Sequence, residues 1–213
     1  MTATRYEVMD ECRKNLTKYA IDAFSYIPRI DKPSILDIGC GTGVTILVLA
    51  EKSNGNFHAV DQDIDSLEWL KIKIGQSDFL KRIKITQASI FDQDISHECY
   101  DIVLAEGLLN IIGFEKGLII LKSFTKKNGY LLIHDELKND IEKREIFKEM
   151  GLVLINTIEL SKDIWWKEYY ACLNRKMANV QNRSIFIHEI QEIADFRNDP
   201  EPFASIYYIL KKI

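Results

Sequence analysis

Hydrophobic positions along this chain recur with two alternating periods, and that alternation predicts the architecture. Across residues 5–26, Tyr6, Met9, Cys12, Leu16, Tyr19, Ala20, Ala23 and Phe24 fall three or four residues apart, the spacing of one helical face. Pro28 and Pro33 close that segment, and residues 34–38 read as a short apolar strand running into a glycine-rich turn. Residues 44–52 predict a helix, 57–60 a strand and 64–74 another helix, with Gly75 as its stop. Further strands are expected at 83–87, 101–105, 130–133, 152–157 and 204–211, with helices over 113–125, 139–150 and a long stretch from 162 to about 195. Lys126-Lys127-Asn128-Gly129 reads as the turn that closes the 113–125 helix. Strands alternating with helices in this way predict an α/β fold, a mostly parallel sheet covered by helices on both faces.

Composition narrows this only a little. A length of 213 residues fits one domain, residues 1–213. Within it, residues 1–30 would form an N-terminal helical lid and 160–200 a helical insertion before the last strand. A net charge of −4 gives no broad attraction for phosphate backbones, so nucleic acid is not expected as a partner. The four cysteines, Cys12, Cys40, Cys99 and Cys172, form no Cys-x-x-Cys pair, which argues against structural zinc and a disulfide framework and fits a reducing compartment. The first ten residues lack an apolar signal segment and no apolar run is long enough to span a bilayer, so a soluble cytoplasmic protein without a membrane partner is expected. No His/Asp/Glu cluster has metal-ligand spacing, and no metal is expected.

The chemistry concentrates at the end of the first strand, in Asp37-Ile38-Gly39-Cys40-Gly41-Thr42-Gly43. Alternate glycines let a backbone turn sharply and approach a ligand with no Cβ between, and the helix that follows aims free N–H groups at the same place. A dinucleotide site would carry Gly-x-Gly-x-x-Gly, yet the sixth position counted from Gly39 is Val44. That disfavours a nucleotide-dependent oxidoreductase. Asp61 closes the second strand, where a carboxylate can accept hydrogen bonds from both hydroxyls of a ribose; Asp63, just before the helix at 64, is the better helix cap.

The spacing of Asp37, Gly39, Gly41 and Gly43, with Cys40 between, resembles motif I of the class I S-adenosyl-L-methionine (SAM)-dependent methyltransferases. The stretches 105–117 and 165–170 are similar to bacterial and archaeal small-molecule methyltransferases described by analogy with ubiquinone and menaquinone biosynthesis enzymes, and the likeness runs from about Ile35 to Lys211. The resemblance implies a Rossmann-like sheet of seven strands, the last antiparallel, with SAM as methyl donor and S-adenosyl-L-homocysteine as product. It also implies that Ser89 and Ile90 lie against the adenine, with Gln62 and Ile90 covering its faces. Ser89 stands where an acid is common in the family and reads equally well as part of a polar turn.

The acceptor side is more open. Glu106, at the end of the fourth strand, would hold the methionine amino group, orient the acceptor or cap the turn. His134, ending the fifth strand, is either a general base or a structural histidine. Trp165, Trp166 and Tyr169 would either line an aromatic acceptor pocket or pack as an inserted helix, with Tyr6 joining from the lid. Methyl transfer to a small-molecule acceptor is the expected function, and a non-catalytic SAM-binding protein on the same fold is the alternative.

Overall fold

The computed structural model describes residues 2–75, 81–92, 95–180 and 182–213. Seven strands, β1 (Ser34–Ile38), β2 (Asn56–Asp61), β3 (Ile83–Gln87), β4 (Tyr100–Glu106), β5 (Thr125–Glu136), β6 (Leu152–Leu160) and β7 (Ser205–Lys212), form one sheet in the order β3-β2-β1-β4-β5-β7-β6. β3, β2, β1, β4 and β5 pair in parallel, while β7 runs antiparallel between β5 and β6. The expected α/β sheet with an antiparallel last strand is therefore present. The order in which strands are added reverses between β1 and β4, the crevice where open α/β sheets bind ligands.

The two-residue period of each strand sorts side chains into two cores. Ile35, Ala59, Leu104, Leu132 and Ile209 face one side and pack on α2 (Thr17–Ser25), α3 (Val44–Lys52) and α4 (Ile64–Ile74). Leu36, Val60, Val103, Leu131 and Tyr208 face the other and pack on α5 (Leu109–Ile112), α6 (Phe114–Phe124) and α7 (Asp140–Glu149). A third cluster, Cys12, Tyr169, Tyr170, Leu173, Met177, Phe186 and Phe196, stands apart from the sheet. It joins α1 (Thr2–Arg13) to the insertion, which runs through α8 (Lys162–Trp165), a π-helical turn (Trp166–Tyr170), α9 (Ala171–Ala178) and α10 (Ile187–Asn198).

Three local expectations are corrected. The helix expected over 5–26 is divided by a 3₁₀ turn at Lys14–Leu16, because Cys12 belongs to the third cluster and Ala20 and Ala23 to the sheet core. One straight apolar stripe cannot serve two cores. The stretch 126–129 is not a turn after a helix: α6 ends at Phe124 and β5 begins at once, with Asn128 taking up the left-handed kink at φ 63°. The stretch from 162 to 195 is a chain of short helical pieces wrapped around the third cluster rather than one long helix.

The cysteine spacing carried no sign of pairing, yet Cys12 and Cys172 form a disulfide with Cα atoms 5.6 Å apart. They are 160 residues apart in sequence, and α1 packing on α9 brings them together. This corrects the expectation of unpaired thiols; Cys40 and Cys99 are free. A crosslink closing so long a loop removes denatured-state entropy, typically worth about 2–4 kcal/mol. Cys172→Ser should lower the oxidised protein's unfolding free energy in urea by about that amount, with an unchanged midpoint as the contrary result.

Candidate functional site

The glycine turn between β1 and α3 is built from left-handed backbone. Gly39, Gly41 and Gly43 have φ of 75°, 52° and 77°, a region that costs other L-residues about 1–2 kcal/mol each. Two of these glycines do different work. A Cβ on Gly43 would lie 2.4 Å from Leu70 Cδ1, so that position is fixed by packing against α4. A Cβ on Gly41 would meet nothing within 4 Å, so its bare backbone faces open space. The turn is tied down by backbone bonds: the Gly39 and Cys40 N–H groups donate to the Val60 carbonyl at 2.8 and 3.1 Å. Asp61 completes the clamp, its Oδ2 accepting the Gly41 N–H at 2.7 Å and its Oδ1 the Asp63 N–H at 2.9 Å.

Three carboxylates converge on this turn. Asp37 is 4% exposed and has no hydrogen-bond donor among the described residues. Burial, then the proximity of Glu106 and Asp61, pushes its pKa well above the carboxylate range. Glu106 is also raised by burial, although it accepts hydrogen bonds from Thr45 Oγ1 at 2.7 Å and the Tyr207 hydroxyl at 2.8 Å. An unpartnered buried acid beside a second one is an electronegative recess that a cationic ligand group would relieve.

Two cavities meet at the turn, sharing Gly39 and Gly107. The smaller, about 200 Å³, lies past β2 and β3 and is lined by Asp61, Gln62, Ser89, Ile90, Leu108 and Ile111. Ile90 is buried and gives it an apolar floor. Ser89 lines this cavity and also makes a local turn: its N–H donates to Asp92 Oδ2 at 2.7 Å and its Oγ accepts the Phe91 N–H at 3.3 Å. Asp63 caps α4, accepting from the Asp65 N–H and the Ser66 hydroxyl. Tyr6 lines neither cavity; its hydroxyl reaches Asp63 at 3.4 Å, on the α4 side of α1.

The larger cavity, about 520 Å³, opens over the carboxyl ends of β1, β4 and β5. Its walls include Asp37, Cys40, Glu106, His134, Trp165 and Tyr169. His134 stacks on Tyr207, ring centres 4.2 Å apart, and lies near-parallel to Trp165 at 6.0 Å. The Ser205 hydroxyl bonds both His134 Nε2 and Trp165 Nε1 at 2.8 Å. Burial lowers the His134 pKa to about 4, so the ring is neutral in ordinary buffers. The π-helical turn changes the aromatic spacing, so Trp165, Tyr169 and Tyr170 all face the cavity. Trp166 falls outside it, stacked on Phe196 at 5.7 Å with the Arg197 guanidinium 5.3 Å from its ring.

Arg13, Thr45, Tyr207 and Ser205 were not legible as site residues. Tyr207 reads as one more apolar residue of the last strand, and only the register that pairs it with His134 brings it to the cavity. Among the described residues no three His, Cys, Asp or Glu side chains are grouped to hold a metal, and no helix is long and apolar enough to cross a membrane.

A methyltransferase-domain family matches residues 31–177. The chain is 27% identical over 135 residues to an uncharacterized protein of Haemophilus influenzae, covering 62% of this chain and 54% of that one. It is 29% identical over 99 residues to the tRNA1(Val) (adenine(37)-N6)-methyltransferase of Photorhabdus laumondii, covering 45% of this chain and 41% of that one. A ribosomal protein L11 methyltransferase of Ruminiclostridium cellulolyticum is 24% identical over 149 residues, 67% of this chain and 44% of that one. The chain thus spans roughly half or less of these relatives' lengths. Among solved structures, the [4+2]-cyclase SpnF superposes with a TM-score of 0.77 at 12% identity, over 93% of this chain and 81% of that one. Phosphoethanolamine N-methyltransferase 2 of Haemonchus contortus, in complex with SAM, gives 0.68 at 15% identity, over 88% and 50%. At these identities the likeness is one of fold.

Burial holds both His134 and His58 near pKa 4, below the 6.5 of a free imidazole. His58 is bonded to the Tyr100 and Thr86 hydroxyls at 2.7 and 2.8 Å. Their contribution to stability is whole above about pH 6.5 and is lost as pH falls toward about 4. Imidazole NMR shifts of both rings should stay constant from about pH 8 to 5.5; a midpoint near 6.5 for His134 would contradict the burial argument.

Proposed function

Because the chain belongs to the methyltransferase-domain family that matches its residues 31–177, we propose that it transfers a methyl group from SAM to a small molecule held in the larger cavity, leaving S-adenosyl-L-homocysteine. The cofactor is S-adenosyl-L-methionine, which the Haemonchus contortus enzyme of the same fold binds. This chain's residues fit it: an open backbone approach at Gly41, an unpartnered Asp37, and two cavities joined at the turn. When bound, SAM supplies a methyl group on a sulfonium that is already a good leaving group.

Asp61 would take the ribose hydroxyls, Gln62, Ser89 and Ile90 the adenine, and Gly39, Cys40, Gly41 and Gly43 the methionine chain. Asp37 and Glu106 would hold its ammonium. Trp165 and Tyr169 would position the acceptor. Orientation of this kind supplies roughly 7–11 kcal/mol, whereas a general base adds only about 10²–10⁴-fold. His134 is a poor base at a pKa of about 4, with Nε2 bonded to Ser205. We assign it to the wall of the acceptor space, so that transfer rests on alignment.

The observation that carries the small-molecule reading is the roof. α1 and the insertion wall a cavity of about 520 Å³, within the usual range for small-ligand sites. A net charge of −4 disfavours an RNA acceptor, although similar chains include tRNA methyltransferases. The cavity also speaks against a purely binding role, since space remains beyond the turn.

Methyl-labelled SAM should be offered with quinols, phenols, amines and thiols, beside tRNA and ribosomal protein. Label in a small molecule is the expected result. Label in tRNA or protein alone would overturn the acceptor class, and SAM binding without transfer to any acceptor would favour the non-catalytic alternative.

A further inference from the structure

One permanent cation lines the larger cavity among the described residues: Arg13, at the last turn of α1. The residue is solvent-exposed and lines the cavity. Tyr169 acts on it most strongly, and Glu192 and Asp10 lie further out; all three favour its charged form. No carboxylate of the described residues stands within ion-pair distance, so most of its five N–H donors are free for a ligand.

The acids along the same walls do not cancel it. Asp37 and Glu106 sit at the glycine turn, where the cationic parts of the cofactor are proposed to lie; Arg13 is the weakest of the influences on Glu106, after burial and the Thr45 and Tyr207 hydrogen bonds. Asp135 is neutralised by Lys143 Nζ at 2.6 Å, and Glu136 is exposed at the rim. Glu192 already accepts the Tyr170 hydroxyl at 2.8 Å.

Arg13 is also held in a fixed frame. Three residues earlier in α1, Asp10 accepts hydrogen bonds from Thr42 Oγ1 at 2.5 Å and Trp69 Nε1 at 3.0 Å, and pairs with Lys73. One residue earlier, Cys12 is crosslinked to Cys172 of the insertion. The helix is therefore pinned to the glycine turn on one side and to the cavity roof on the other. Pinning the helix fixes the point from which the Arg13 side chain enters the cavity, and the planar guanidinium fork suits a carboxylate.

We propose that Arg13, with Tyr169 beside it, anchors a carboxylate of the methyl acceptor, so that the acceptors of this protein are small carboxylic acids. This deepens the methyl-transfer reading and rests on it for the word acceptor. The cofactor carries a carboxylate too, and the test must separate the two sources.

Wild type and Arg13→Gln should be titrated calorimetrically with 3-hydroxybenzoate, 4-hydroxyphenylacetate and indole-3-acetate, each against its primary amide, with and without saturating S-adenosyl-L-homocysteine. Thermal melting confirms that the variant folds, and Arg13→Lys serves as the conservative control. At least one carboxylate should bind the wild type about tenfold or more tightly than its amide, and Arg13→Gln should abolish that preference with the S-adenosyl-L-homocysteine affinity unchanged. Arg13→Lys should keep part of it. No carboxylate binding, equal binding of acid and amide, or a preference that survives in Arg13→Gln would each overturn the proposal. So would an Arg13→Gln variant that weakens S-adenosyl-L-homocysteine but not 5′-methylthioadenosine, which lacks the carboxylate, since Arg13 would then serve the cofactor. A wild type that prefers carboxylates through Arg13 yet fails to bind S-adenosyl-L-homocysteine would keep the anchor and refute methyl transfer.

Discussion

The hydrogen bond from the Gly41 N–H to Asp61 Oδ2, 2.7 Å long, joins the two halves of the site. It ties the turn after β1 to the end of β2 and fixes the middle of a turn that holds three left-handed glycines beside a cavity. Val60 fixes the start of the same turn through its carbonyl, and Leu70 blocks any side chain at Gly43. From this clamp follow the open approach at Gly41, the direction of α3 and the recess between Asp37 and Glu106. The interaction also explains why a carboxylate is needed at position 61: its Oδ2 serves the turn, while its remaining lone pairs can face the smaller cavity.

Above this base the protein builds a roof with its own small core. The third hydrophobic cluster shares no strand with the sheet, and it is formed where α1 meets the insertion before β7. Asp10 fastens the roof to the glycine turn through Thr42, and Cys12 fastens α1 to α9. Two consecutive segments of the N-terminal region thus belong to different cores, and the 3₁₀ turn at Lys14–Leu16 is where the allegiance changes. A buried polar network and a crosslink at the mouth of a cavity favour a preorganised site over an open cleft.

Much of the sheet was legible in the sequence because each strand repeats a short, strong pattern. β1 falls where the short apolar run of Ile35, Leu36 and Ile38 places it, and β3 where Ile83 and Ile85 do. The glycine turn was legible because φ above zero leaves little choice of residue. The cap was harder to read. Its helical pieces are short, and the π turn at Trp166–Tyr170 breaks the three-to-four spacing from which Trp166 was expected to line the pocket. Tyr6 failed as a pocket residue for a similar reason, since α1 is pinned by Asp10 with Tyr6 turned toward Asp63. Arg13, Tyr207 and the Cys12–Cys172 pair depend on contacts between distant segments, and no local pattern announces them.

Asp61 holds the turn and, in the proposed function, the cofactor's ribose as well. The most direct measurement is the calorimetric dissociation constant of SAM for the wild type and for Asp61→Ala, with thermal melting to confirm that both are folded. A hydrogen bond to a charged group is worth roughly 1.5–3 kcal/mol, so affinity should fall about tenfold or more in the variant. An unchanged dissociation constant would contradict the assignment of this turn as the SAM site.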